Sequence, residues 1–307
     1  MFKKISIRKI GLSIAALFAL LLIYLIPNQA PSLKIKEELK YVDNKIEGAD
    51  VFLMDKNSYV AMTEAPISEK DIEKRALELI KILTVGGMDS KVPSGFSAII
   101  PPDTEVLNLT YERGILKINF SKDILDIDKN LEEKMIEAIV YTLTSIEKVD
   151  KVIIYVECDI LTKLPKTKIN LPSALDRSFG INKEFNLTST KDITDVTIYY
   201  INQINDNYYY VPVTKYLNDQ RDKINIIVEE LSMDSNLKDN LKSYLMDNIK
   251  IVSGSVENEI NLEFNKLNYS EDINEKIDRT VLLSICDNYD IEKLKINQID
   301  KECKSAK

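Results

Sequence analysis

The side chains that carry most protein chemistry are thinly supplied in this sequence. There is no histidine among its 307 residues, which removes Ser-His-Asp and Cys-His nucleophile activation, most zinc sites and the ordinary near-neutral proton switch. The three cysteines, Cys158, Cys286 and Cys303, form no CxxC pair. One bridge with a spare thiol is open to them, but not a disulfide framework. Cys286 falls on the apolar side of a predicted helix and reads as a small buried hydrophobe rather than a reactive or bridged thiol. Acids are abundant, at 49, and paired carboxylates can hydrolyse a glycosidic bond without histidine. No two of them are singled out by spacing, so a wall hydrolase is a class without candidate residues.

Two constellations remain. Asp126, Asp128, Asn130 and Glu137 occupy positions 1, 3, 5 and 12 of a calcium-loop pattern, but Leu131 stands where the sharp turn needs glycine and opens a helical period. The acids therefore read as a helix N-terminus, and no metal or other cofactor is expected. The tyrosines Tyr199, Tyr200, Tyr208, Tyr209 and Tyr210 lie on both arms of a predicted hairpin. They are the candidate interaction surface, as a stacking or sugar-binding platform, against the plainer alternative of cross-strand packing.

The elements that would position these residues occur twice. Leu116, Ile118 and Phe120 match Ile260, Leu262 and Phe264 at a shift of 144 residues, and Ala138 to Leu143 match Thr280 to Ile285 at 142. The 142 shift also pairs Val149, Val152 and Ile154 with Ile291, Leu294 and Ile296. What repeats is apolar spacing, not a polar constellation, and that contrast points to a scaffold or binding module. In the first copy the spacing predicts a hairpin around Asp55 to Ser58, then a helix capped by Ser68. A Gly/Ser/Pro-rich segment, Gly86 to Pro102, leads to a hairpin turning at Glu112-Arg113-Gly114, a helix from Leu131 to Ile146 and a closing strand Val152 to Val156. In the second it predicts a hairpin turning at residues 205–207, helices Arg221 to Leu231 and Leu237 to Met246, a hairpin Ile249 to Phe264, a helix Ile273 to Cys286 and a strand Leu294 to Ile299. The expected fold is α+β: two tandem copies of a small domain with helices packed on one face of a small sheet.

Met1 to Lys9 is basic, and Ile10 to Ile26 is a stretch of 17 residues without a charge. That is the short end of what spans a bilayer as a helix. Asn28 stands before Ala30 where a signal peptidase would read a small residue, and the apolar stretch is longer than a typical signal's; both favour an uncleaved transmembrane anchor over a secretory signal, with the basic flank cytoplasmic and the rest outside. The expected organisation is flank and anchor 1–27, stalk 28–49, first domain 50–158, linker 159–193 and second domain 194–307. Without its first 27 residues the chain has 37 basic against 49 acidic residues, a net charge of −12. A surface so acidic disfavours nucleic acid as a partner.

The stretch Ile100-Pro101-Pro102-Asp103-Thr104-Glu105-Val106-Leu107, running on to Gly114-Ile115-Leu116-Lys117-Ile118-Asn119-Phe120-Ser121, resembles the opening of the GerM domain of sporulation and germination proteins. So do Tyr141-Thr142-Leu143 with Val149 and the strand Val152 to Val156. The phrase Leu175-Asp176-Arg177 followed by Gly180-Ile181-Asn182 is similar to the connector between tandem copies in that family. Asp247-Asn248 stands near the place of the second Pro-Pro turn. At Cys158 the chain departs from the family's glycine, which implies a different exit path there. The lipid-anchoring cysteine is also missing, which favours the transmembrane anchor.

The resemblance implies two modules similar to the ring-building motifs of secretion systems, in a cell-surface protein of an endospore former. It further implies association with the channel joining mother cell and forespore. The expected function is that of a non-catalytic, membrane-anchored extracytoplasmic interaction protein in an envelope complex, with protein partners that include further copies of itself. The alternative is a peptidoglycan- or glycan-binding module.

Overall fold

The computed structural model describes residues 47–205, 207–233, 241–243, 249–250, 259–264, 270–291, 293–296 and 299–303, together with residues 11, 14–18 and 20–21. It divides into two compact units, Met1–Lys45 and Ile46–Lys307. The described residues of the first are helical, and Ile14, Leu17, Phe18, Leu20 and Leu21 are exposed. Among the described residues no helix is long and apolar enough to cross a membrane. Much of the expected anchor, and the stalk as far as residue 46, lie outside them.

The second unit opens with a hairpin of β1 (Glu47–Asp55) and β2 (Val60–Ile67), then α1 (Ile72–Leu83) and the short β3 (Phe96–Ser97). A second hairpin, β4 (Val106–Glu112) and β5 (Ile115–Phe120), leads into α2 (Glu132–Leu143), β6 (Lys151–Val156) and β7 (Asp159–Ile160). The expected linker supplies β7 and β8 (Glu184–Asn186). The long pair β9 (Thr194–Ile204) and β10 (Asn207–Leu217) follows, then α3 (Lys223–Ser232), β11 (Ile249–Lys250), β12 (Glu259–Phe264), α4 (Glu271–Asn288), β13 (Lys293–Ile296) and β14 (Ile299–Glu302).

The two leading hairpins form one sheet. β2 meets β10 antiparallel at Met62 and Tyr210, so strands from both copies run in the order β3, β1, β2, β10, β9, with β8 parallel to the far end of β10. Each copy also has its own four-stranded sheet of identical topology. In β4-β5-β6-β7 and in β11-β12-β13-β14 the first and last pairs are antiparallel and the central pair is parallel. Leu116 pairs with Val152 and Ile118 with Ile154, while Ile260 pairs with Leu294 and Leu262 with Ile296. These are the pairs that the sequence shifts of 144 and 142 equate. Arg113 and Gly114, both at positive φ, make the two-residue turn of the β4-β5 hairpin, a shape that suits glycine and matches the twist of the strands.

The outer edges of the shared sheet are closed by a device that is itself duplicated. Phe52 N donates to Thr142 Oγ1 at 2.9 Å and Ser145 Oγ to Asp50 O at 3.0 Å, so α2 runs along the free side of β1. On the far side Tyr199 N donates to Ser284 Oγ at 2.9 Å, Thr197 N to Asn288 Oδ1 at 3.0 Å and Asn288 Nδ2 back to Thr197 O at 2.6 Å. Thr142 and Ser284 are equivalents at the 142 shift. Beyond them Met54 pairs with Ser97 of β3, and its counterpart Ile201 makes an isolated antiparallel bridge with Lys242. An unpaired edge invites another chain; here helix side chains and short backbone pairings take up groups on both edges.

Three expectations are corrected. The cap of α1 is Asp71, whose carboxylate accepts Lys74 N at 3.1 Å. Ser68 instead serves the buried Glu78, its hydroxyl donating to Oε1 at 3.1 Å while the amides of Ser68 and Glu69 donate to Oε2. Of the helix expected over Leu237 to Met246 only residues 241–243 are described, and they form the extended bridge to Ile201. Helices also do not share one face of the β9-β10 hairpin. Asp287 of α4 reaches Tyr199 on one face, whereas Glu230 of α3 reaches Lys215 on the other. The reason lies in Val196 to Asn202, buried without alternation, because a run buried on both sides needs cover on both.

Candidate functional site

The junction of the two copies gathers charged and aromatic side chains from both. Leu175 exchanges backbone hydrogen bonds of 2.7 and 2.8 Å with Val152, which pins the connector to β6. Asp176 then caps a single 3-10 turn, Arg177–Phe179, by accepting Ser178 N at 3.0 Å. Gly180 ends the turn at φ +78°, with Tyr216 Oη 3.1 Å and Thr214 Cβ 3.2 Å from where a side chain would begin.

This turn drives Arg177 into the seam. Its Nη1 donates to Asp287 Oδ1 at 2.7 Å and to Tyr199 Oη at 3.1 Å, and its Nε to Thr144 Oγ1 at 3.1 Å. The guanidinium sits 5.0 Å from the Tyr141 ring centroid and 5.7 Å from that of Phe52, within cation–π range. Tyr141 Oη donates in turn to Arg177 O at 3.1 Å. Phe52, Tyr141 and Thr144 belong to the first copy, Tyr199 and Asp287 to the second. Burial alone would lower the pKa of Arg177, but Asp287 and the hydroxyls of Tyr199 and Tyr141 outweigh it and raise it. Burial, and then Asp287, pushes both of these tyrosines well above their ordinary range.

Asn182 is the second tie. Its Nδ2 donates to Val60 O at 2.8 Å and Pro212 O at 2.7 Å, and its Oδ1 accepts Val60 N at 2.9 Å, so its amide replaces a rung between β2 and β10. Its own N–H goes to Glu137 Oε2 at 3.0 Å. At φ +46° it adopts a left-handed conformation that asparagine tolerates better than most residues. A third contact crosses the seam where Tyr209 Oη donates to Asp55 Oδ2 at 2.8 Å.

Much of the tyrosine hairpin is withdrawn from solvent. Tyr199, Tyr200 and Tyr209 are buried, which withdraws these three from the expected platform, and burial pushes Tyr200 up to about 12. Tyr208 and Tyr210 are half-buried, with Lys276 Nζ 4.6 Å from the first ring centroid and the Arg279 guanidinium 5.8 Å from the second. Both rings thus lie beneath cations of α4 while keeping part of their surface exposed. Glu137, the last residue of the calcium-like pattern, is buried in α2 facing Asn182 and Lys183.

The cysteine reading changes. Cys286 is buried as expected, but it is bridged to Cys303, with Cα atoms 5.4 Å apart, tying the end of β14 to α4. The helical period shows that Cys286 faces inward but not that β14 ends beside it. Cys158 is an exposed free thiol in a two-residue turn with Glu157, both at positive φ. Its N–H donates to Asn119 Oδ1 at 3.0 Å. The chain thus makes here a left-handed turn of the kind that glycine favours. Arg177 and Asn182 had no assigned role in the sequence. The available signal was an arginine and an asparagine flanked by Leu175, Phe179 and Ile181 in a connector without a long apolar period.

A family model described as Germane, sporulation and spore germination, matches residues 50–157. The chain is 30% identical over 224 residues to spore germination protein GerM of Bacillus subtilis (strain 168), a match covering 71% of this chain and 60% of that protein. It therefore spans about three-fifths of that relative's length. The solved structure of the tandem GerMN domains of the sporulation protein GerM from Bacillus subtilis superposes with a TM-score of 0.71 at 26% identity, covering 81% of this chain and 90% of that one.

Proposed function

The chain belongs to the GerM family of sporulation and spore germination proteins, and on that premise we propose that it is a non-catalytic interaction protein whose two repeats work as one rigid body. It is held outside the membrane by its N-terminal apolar segment and contributes to an envelope assembly of sporulation or germination, such as the channel between mother cell and forespore. The observation that carries this reading is the junction, where Arg177, Asp287 and Asn182 spend the buried polar groups of both repeats on joining them. Buried polar groups used this way specify one arrangement of a scaffold. The Cys286–Cys303 bridge supports an extracytoplasmic location, because such bonds persist in oxidising compartments. The uncharged segment Ile10 to Ile26 behind a basic flank supports the anchor and its orientation.

A cross-linking map of the full-length protein in sporulating cells, with alkaline carbonate extraction of the membranes, tests the proposal. Reproducible neighbours and retention in the membrane pellet are expected. A freely extractable monomer without neighbours would overturn it. Pelleting with purified peptidoglycan separates the glycan alternative, for which Tyr208 and Tyr210 are the remaining ring candidates.

A further inference from the structure

The buried carboxylates of the first repeat are of two kinds. Glu132 accepts Lys166 N at 2.9 Å, Thr167 N at 2.6 Å and the Thr167 hydroxyl at 2.7 Å, and Glu78 is held by Ser68, the Glu69 amide and Lys91. Burial works to raise the pKa of both, yet these donors outweigh it and both are lowered. At the seam Asp55 is also cradled, by the Asn57 and Tyr59 amides and the Tyr209 hydroxyl, but two further carboxylates there, Asp50 and Glu137, are not. Asp50, on β1, accepts no hydrogen bond from any described residue, and Arg279 of α4, 3.7 Å away, is shared with Glu64. Glu137, on α2, accepts only the Asn182 amide among the described residues; Lys183 lies 3.7 Å away but is 2.6 Å from Glu133. Both acids thus stand where the second repeat or the connector meets the first, with their charges under-solvated.

We propose that the seam between the repeats is a proton-responsive joint, which tightens when Asp50 and Glu137 take up protons and loosens when they ionise. The charged and titratable groups around Asp50 are Glu64 on β2, Arg75 on α1, Arg177 in the connector, Arg279 on α4 and Tyr199 on β9. Around Glu137 they are Glu133 and Lys134 on its own helix, Lys183 in the connector and Tyr216 on β10. Burial is the largest influence on each: it raises Asp50 from its ordinary 3.8 to about 6 and Glu137 from 4.5 to about 7, against the pull of Arg279 and Lys183. A raised acid binds more protons folded than unfolded. Its stabilisation is therefore complete below the unfolded value and is lost as pH rises through the folded one. The window runs from about pH 4 to about pH 8.

The test is unfolding of the full-length protein in mild detergent between pH 8 and pH 5, for wild type and for the Asp50→Asn, Glu137→Gln double variant. The wild-type folding constant should rise by about tenfold from Asp50 alone, and by more with Glu137. The double variant should lose most of that slope. Hydrogen exchange, corrected for intrinsic rates, should show the Asn182, Ile181 and Thr214 amides better protected at pH 5.5 than at pH 7.5 in the wild type only. An unchanged slope in the double variant overturns the proposal. If the variants do not fold, a carboxyl NMR titration of the wild type decides it: midpoints above 5 at both residues support it, and lower ones overturn it.

Discussion

The two repeats share a backbone plan and differ in what holds it. In each, a hairpin enters the shared sheet, a helix hydroxyl closes the outer edge, and a smaller sheet with a parallel central pair packs nearby. The first repeat is locally self-sufficient: β4 has seven residues and α2 is buried over most of its length. In the second, a disulfide fastens the helix to the last strand. At the position equivalent to Cys286 the first repeat has Thr144, whose hydroxyl takes Arg177. One repeat spends that position on the partner repeat, and the other spends it on itself. The first repeat thus uses that position at the junction, and the second uses it to brace its own helix.

Breaking the tie between them should have the largest effect. Asp287→Ala leaves the Arg177 guanidinium buried without its counter-charge, and removing one member of such a pair costs about 3–5 kcal/mol. The loss should appear as a lower urea midpoint, with amides of α4 and β9 losing protection before those of α1 and β5. The paired change Arg177→Met with Asp287→Leu should cost markedly less, since no orphaned charge remains. Equal losses from the two would mean that packing, not charge pairing, joins the repeats.

Reduction of the Cys286–Cys303 bridge comes next. It closes a loop of 17 residues, and a loop of that size contributes about 3 kcal/mol. Hydrogen exchange should show the loss confined to α4, β13 and β14. Uniform loss in both repeats would refute the asymmetry drawn above.

The frame was legible because it is local. Leu116, Ile118 and Phe120 alternate, Met135, Ile139 and Leu143 recur at helical spacing, and the same periods return in Ile260 to Phe264 and Val281 to Ile285. The junction was not legible, for reasons equally physical. Nothing local marks Met62 and Tyr210 as the residues at which two hairpins meet. Arg177 lies in a segment whose composition reads as exposed loop, and only long-range partners make it an interior residue. The tyrosines misled because an aromatic hairpin looks alike whether its cover is solvent or a helix, and Lys276 and Arg279, which overlie Tyr208 and Tyr210, follow more than sixty residues later.

The edge closures sharpen the comparison from the other side, because there the repeats should behave alike. Thr142→Val and Ser284→Ala each leave one strand N–H of an edge without its acceptor, at a cost of about 1–3 kcal/mol. Thermal unfolding of the two variants should give losses within about 0.5 kcal/mol of each other if the device is truly duplicated. A much larger loss from Thr142→Val would show that only the first closure bears on stability.

The smallest effect expected is a gain. Cys158 sits at φ +73°, where a side chain costs about 1–2 kcal/mol that glycine avoids. Glycine returns about 0.5–1 kcal/mol of that through the entropy of its unfolded chain. Cys158→Gly should therefore raise the unfolding free energy by up to about 1 kcal/mol, a shift that thermal unfolding resolves. Because the Cys158 N–H keeps its bond to Asn119 Oδ1 whatever its side chain, the gain should stay in the β6-β7 turn and leave the second repeat's exchange untouched. A loss instead would mean that the Cys158 sulfur, 3.4 Å from Asn119 Nδ2, holds the turn more firmly than backbone freedom relaxes it.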